Sequence, residues 1–277
     1  MPLSEFNRSR ELFVNLTQRE LKGKYKRTIL GQLWSLANPL ALMVVYSFVF
    51  AFIIRATPEP GDPSGLDIFP LWLLCGLLPW IFFSNVVNQG MGALIANESL
   101  IKKVYFPRHL LVLSVAAGIT VTWATEMGVL LVAIMIAGAW QAILWSPLVL
   151  VTMAFLAVFS VGIALMLSIA NVYFRDTQYL VTIVLQLGLY LAPIVYPISF
   201  VETQSNALGP LFWNVTLLDI YSLNPFVRFT AVFRSLLYDN TWPEVGDILY
   251  VVVISALSVV IGWWVFSRHE KRLAELL

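Results

Sequence analysis

This sequence is short of the residues that usually carry chemistry. Its one cysteine, Cys75, can form no internal disulfide, and its two scattered histidines offer no metal-site spacing. Only 12% of residues are charged, where a soluble domain averages about a quarter. There is no GxxxxGK[ST] phosphate loop, because Lys22-Gly23-Lys24 runs into Tyr25 without the required glycine spacing. No paired carboxylates and no nucleophile–base set stand out, so no catalytic residue, metal site or cofactor site is expected in the chain. The apolar runs lack the alternation that a membrane barrel needs, which excludes strands in lipid. The N-terminal stretch is polar and charged, without the short apolar region and small-residue cleavage site of a cleavable signal.

What the sequence has in quantity is apolar length. Hydrophobic residues make up 59% and mean hydropathy is +0.81, too apolar for one aqueous core of 277 residues, so the bilayer must serve as solvent. Runs long enough for a hydrocarbon core of about 30 Å occur at 33–54, 68–94, 111–137, 146–170, 179–198 and 248–266. The expected fold is all-α, a single polytopic membrane domain over 1–277 with six transmembrane helices. Basic residues set its orientation, since short cytoplasmic loops collect Lys and Arg. Arg8, Arg10, Arg19, Lys22, Lys24, Lys26, Arg27, Lys102, Lys103, Arg108, Arg175, Arg268, Lys271 and Arg272 fall on one side. Only Arg55, Arg228 and Arg234 fall on the other, among eight acidic residues. Both termini are therefore expected in the cytoplasm.

Three segments outside the spans have a pattern of their own. Residues 4–24 place Phe6, Leu12, Phe13, Leu16 and Leu21 on one half of a helical wheel, which predicts an amphipathic helix in the cytoplasmic interface, with an ordinary cytoplasmic tail as the alternative. Residues 97–107 read as a short helix capped by Asn97, with Leu100, Ile101, Val104 and Tyr105 as its apolar stripe and Phe106-Pro107 as its stop. A helix this short is marginal in water, so its apolar face must be covered by the bundle or by a partner protein. Residues 199–247 lie outside and are divided by Pro197, Pro210, Pro225 and Pro243. Leu211–Leu218 and Phe226–Leu237 there read either as short re-entrant helices, a form lipid tolerates only where backbone packs on protein or lines water, or as a plain extracellular cap.

Two patterns point to a pathway. Trp34, Asn38, Phe48 and Phe52 share one face of the first span, and Gln186, Tyr190, Pro193 and Pro197 share one face of the fifth. Rings mixed with amides suit a sugar chain, whose C–H faces stack and whose hydroxyls need hydrogen-bond partners, whereas an ion pore calls for charged rings or a carbonyl filter. The same stripe also suits ordinary core packing. Glu126, midway along the third span, is either a functional group facing the bundle interior or the partner of a structural hydrogen bond.

In their order and spacing, several motifs resemble a known family. They are Glu11-Leu-Phe, Arg19-Glu-Leu-Lys-Gly-Lys-Tyr25, Leu30-Gly-Gln-Leu-Trp34 with Asn38-Pro39-Leu40, Asn97-Glu-Ser-Leu-Ile-Lys-Lys-Val-Tyr-Phe-Pro107, Asn171-Val-Tyr-Phe-Arg-Asp176 and Tyr221-Ser-Leu-Asn-Pro225. The chain resembles the permease subunits of bacterial ABC exporters for lipid-linked polysaccharides, which include O-antigen, capsule, teichoic-acid and cell-wall galactan exporters. That resemblance implies a homodimer in the bacterial cytoplasmic membrane with two separate ATPase subunits, which bind ATP and Mg. Its other partners would be membrane lipids and the lipid-linked polysaccharide, with no nucleic acid. It further implies that Asn97, Glu98, Leu100, Ile101, Lys102, Lys103, Val104, Tyr105 and Phe106 couple the permease to the ATPase. Lys22, Lys24, Tyr25, Lys26 and Arg27 would meet the pyrophosphate at the entrance, and Trp34, Asn38, Phe48, Phe52, Gln186 and Tyr190 would line the channel. An exporter of drugs or small lipids shares the layout. A membrane glycosyltransferase would need acidic residues clustered in a cytoplasmic loop, and here they are dispersed.

Overall fold

In the computed structural model, which describes residues 3–24, 28, 31–55, 60–104, 106–211, 213 and 215–273, all the extended elements are helical. Helix α1 is Leu3–Lys24. A 3-10 turn, Gly31–Leu36, leads into α2, Ala37–Tyr46, which widens into a π-helix over Ser47–Ile54. Then follow α3 (Phe69–Ala96), α4 (Glu98–Lys103), α5 (His109–Ile136), α6 (Ala142–Tyr173) and α7 (Thr177–Gly188). The chain closes with α8 (Ser199–Leu208), α9 (Leu217–Ser222), α10 (Pro225–Arg234) and α11 (Val245–His269). Helices α3, α5, α6 and α11 are each long and apolar enough to cross a membrane, and they match four of the six expected spans.

The expected first and fifth spans are not single long helices. The first is the composite of 3-10 turn, α2 and π-helix, ending at the left-handed Arg55 with φ 57°. The fifth stops at Gly188. Pro193 has no N–H to give the Leu189 carbonyl and Pro197 has none for Pro193, so the chain turns through 189–198 instead of continuing as helix. Two further elements differ from expectation. Gly209, at φ 68°, closes an unexpected α8, and the short helix expected at Leu211–Leu218 begins only at Leu217. There Thr216 and Asp219 form a reciprocal capping box, each side chain bonded to the other's backbone N–H.

Helix α6 is the hub, packed against α3, α5 and α11. Its approach to α11 is backbone to backbone: a Cβ on Gly262 would lie 2.2 Å from the Gly162 carbonyl oxygen, and the Ser258 hydroxyl donates to the Phe159 carbonyl at 3.2 Å. Without water to drive association, membrane helices gain from this kind of close van der Waals packing between small residues. The core beside it is aromatic. Phe82 of α3 stacks on Trp123 of α5 at 4.0 Å, and Phe226, Phe229 and Phe233 of α10 insert against Trp80, Phe159 and Trp123.

That insertion fixes depth. Phe226 meets Trp80, eleven residues along α3 from Phe69, or about 16 Å at the helical rise. The Tyr238 hydroxyl accepts from the Ile68 N–H at the very start of α3. Helix α10 therefore runs from the middle of the bundle out to one end. The opposite end gathers α1, α4 and the close of α11: the Arg108 N–H donates to Glu270 Oε1 at 2.9 Å, and Ser9, Arg10 and Phe13 border a cavity shared with Pro107 and His109.

Candidate functional site

The end that holds α4 and the close of α11 is built around α1. Leu16 is buried, Leu12, Phe13 and Leu21 are half-buried, and the helix packs along α5. Near its C-terminus, Arg19, Glu20, Leu21 and Gly23 face Gln89 of α3 and Val115, Gly118, Ile119 and Thr122 of α5 across a cavity of about 360 Å³. Lys22 is exposed beside it. Tyr25, Lys26, Arg27 and the side chain of Lys24 lie outside the described residues, so of the expected entrance set only Lys22 has a described position.

Arg19 makes a connection that the sequence reading missed. Its Nη2 donates to Asn97 Oδ1 at 2.8 Å and to Glu20 Oε1 at 2.9 Å, tying α1 to the start of α4. Asn97 does not cap α4 as expected, because its amide instead donates to the Ala93 carbonyl at 2.9 Å while its oxygen is held by Arg19. No local signal reveals such a pair, 78 residues apart.

Helix α4 is also shorter than 97–107. It ends at Lys103, and Val104 is extended and exposed rather than part of a covered stripe. Pro107 and the restriction it places on Phe106 leave too little chain for another turn. Ile101 and Phe106 are buried in the bundle and Leu100 is half-buried, so the apolar side of this segment is covered by the chain itself. The surface it presents is Ser99, Lys102, Lys103 and Val104. Lys102 donates to Glu98 at 2.5 Å, which holds that carboxyl below its ordinary value. Tyr105 lies outside the described residues.

The six residues expected to line a channel all lie on the outside of the single chain. Trp34, Asn38, Phe48, Phe52, Gln186 and Tyr190 are exposed, Phe52 by 73%. Phe48 and Phe52 stack at 5.5 Å. The two segments meet where the Tyr46 and Tyr190 hydroxyls lie 3.3 Å apart, and Thr182 of α7 bonds Asn88 of α3 at 3.2 Å. Around them Val44, Val45, Tyr179, Ile183, Val184 and Leu187 are also uncovered. Glu126 is buried within α5, and the Thr122 hydroxyl one turn before it donates to the Gly118 carbonyl at 3.3 Å.

At the far end, a cavity of about 530 Å³ lies between α10 and the turn that replaces the fifth span. Asp62, Glu202 and Asp239 border it, together with Trp72, Pro193 and Arg234. Burial pushes the Asp239 carboxyl from its ordinary 3.8 up to about 6, with Arg234 opposing and Asp62 adding. A carboxyl raised in the folded state holds its proton there while the unfolded chain has already released it. The contribution of Asp239 to stability should therefore fall as pH rises from 3.8 to about 6. Thermal midpoints of the purified protein and of Asp239→Asn should diverge across that window, with the unaltered protein losing more as pH rises.

Comparison with known proteins places the chain among membrane transporters. Residues 11–238 match the family model described as ABC-2 type transporter. The chain is 30% identical over 274 residues to the O-antigen export system permease protein RfbA of Myxococcus xanthus, covering 98% of this chain and 96% of that one. It is 28% identical to the protein of the same name in Klebsiella pneumoniae, with coverage of 96% and 95%. It is 24% identical to the polysialic acid transport protein KpsM of Escherichia coli, with 91% of each chain covered.

Proposed function

We propose, from the premise that this chain belongs to the ABC-2 type transporter family, that it is the permease of a bacterial polysaccharide exporter. The cargo is a polyprenyl-pyrophosphate-linked glycan, moved across the cytoplasmic membrane by ATP hydrolysis in a separate ATPase subunit. The observation that carries this reading is the uncovered face of α2 and α7. The long helices also leave aliphatic side chains uncovered, as a lipid-facing surface does, but this strip mixes rings, hydroxyls and amides, and a second copy facing the first would turn two such strips into the walls of one path.

The membrane arrangement follows. The composite around α2 and the broken segment from α7 to residue 198 act as spans one and five beside the four long helices, making six. Helix α10 enters from the outer side and returns, supported by the depth at which Phe226 packs. The basic terminal end is cytoplasmic. There α1 lies along the interface, Arg19 and Lys22 sit where an anionic head group arrives, and Lys102, Lys103 and Val104 present the docking surface for the ATPase, which binds ATP and Mg. The relatives named for O-antigen export and polysialic acid transport support a glycan over a drug or small lipid.

The direct test is reconstitution in proteoliposomes with and without the ATPase, using a lipid-linked glycan. Export is expected only with the ATPase and ATP. Equal translocation without them would sink the proposal.

A further inference from the structure

The turn between α7 and α8 leaves several carbonyls without a helical N–H, and side chains take up four of them. The Tyr196 hydroxyl donates to the Tyr190 carbonyl at 2.8 Å and the Asn224 amide to that of Leu191 at 2.9 Å. Arg234 serves the next pair, with Nη1 to Pro193 at 2.6 Å and Nη2 to Ile194 at 2.8 Å. The same guanidinium lies 3.4 Å over the Trp72 ring of α3. It is only 8% exposed, in a slot that needs Gly76, because a Cβ there would stand 3.2 Å from Nη2 and 3.0 Å from Thr230 Cγ2.

Filling two carbonyls does not by itself call for a buried cation, which is costly to desolvate. A planar fork that bridges adjacent carbonyls while its face rests on an indole does call for arginine, since lysine can do only one of the two. The position matters as well. The outer cavity separates Pro193, Pro197 and Glu202 on one wall from Ala231 and Asp239 on the other, so the turn has room to move, and Arg234 ties the two walls together at α3.

We propose that Arg234 is a positioning residue for transport. It clamps the outer half of the fifth span to α3 and α10, so that this part of the path wall moves together with α10 instead of hinging freely at Gly188. The role rests on the reading that α7 and its continuation wall the glycan path.

Cys75, one residue from Gly76 and with no exposed surface, is the chain's own reporter. The assembled exporter is labelled from the outer side with a membrane-impermeant maleimide, and glycan export per ATP hydrolysed is measured in parallel. In the unaltered protein Cys75 should be labelled only slowly. Arg234→Gln removes two charge-assisted hydrogen bonds, so labelling should rise by about tenfold and export per ATP should fall by about tenfold. Assembly and ATP hydrolysis should hold, and Arg234→Lys should restore part of the export. If Arg234→Gln does not assemble, Gly76→Ala displaces the guanidinium without removing it and should give smaller shifts in both readouts.

Protection of Cys75 in these variants overturns the clamp. Exposure without loss of export per ATP overturns its role in transport. If the unaltered complex exports no glycan, the parent reading fails instead, and Cys75 labelling alone then decides whether the clamp exists.

Discussion

Gly262→Leu is expected to prevent the permease from accumulating as a folded protein. A Cβ at residue 262 would meet Gly162 at 2.2 Å from its carbonyl oxygen, and one at residue 162 would meet Ser258 at 2.3 Å from its carbonyl carbon. The obstacle in both cases is backbone, which cannot rotate aside, so α6 and α11 must separate along their whole contact. Overfilling a core costs about 1–3 kcal/mol when side chains can adjust, and more when they cannot. Thermal midpoints and size-exclusion profiles in detergent should show it, with Gly128→Ala as a control because nothing lies within 4 Å of that position. A Gly262→Leu protein with an unchanged midpoint would mean the two helices are not packed this closely.

The second large effect should appear at α4 and leave the fold intact. Lys102→Glu, Lys103→Glu and Val104→Asp together change three exposed side chains and, among the described residues, disturb one surface ion pair, with Glu98, of a kind that contributes little to stability. On the proposed docking role, the triple variant should lose the ATPase in co-purification, and export should fall by about tenfold or more. Its thermal midpoint should stay near that of the unaltered permease. Ile101→Asp should do the reverse, because that side chain is buried in the bundle and its loss acts on stability first. An exporter that stays assembled with the triple variant would rule out α4 as the docking surface.

The four long spans were legible because uninterrupted apolar length is a local property, and lipid leaves a helix as the simplest way to satisfy the backbone. Helix α1 was legible for a similar reason, from its wheel. The broken fifth span was readable in principle from Pro193 and Pro197, four residues apart, but the run from 179 to 198 is apolar enough to hide them. Helix α4 looked longer than it is because its stripe of Leu100, Ile101 and Val104 continues past the point where backbone geometry stops. The contacts of Arg19 with Asn97 and of Arg234 with Pro193 join residues far apart in sequence, and pattern within one segment carries no information about either. By sequence Arg234 was only one of three basic residues on the acidic side.

The burial of α10 also bears on how the chain is made. This helix is ten residues long and carries Arg228 and Arg234, so it is too short and too charged to enter a bilayer alone. The surface that receives Phe226, Phe229 and Phe233 comes from α3, α5 and α6, all synthesised earlier, while Arg228 bonds Asp247 at 2.6 Å on α11, synthesised later. Biogenesis therefore has an order: the frame is inserted first, residues 225–239 settle into it, and the final helix closes over them. A ribosome stalled between residues 224 and 245 would hold a bundle with its aromatic socket still open.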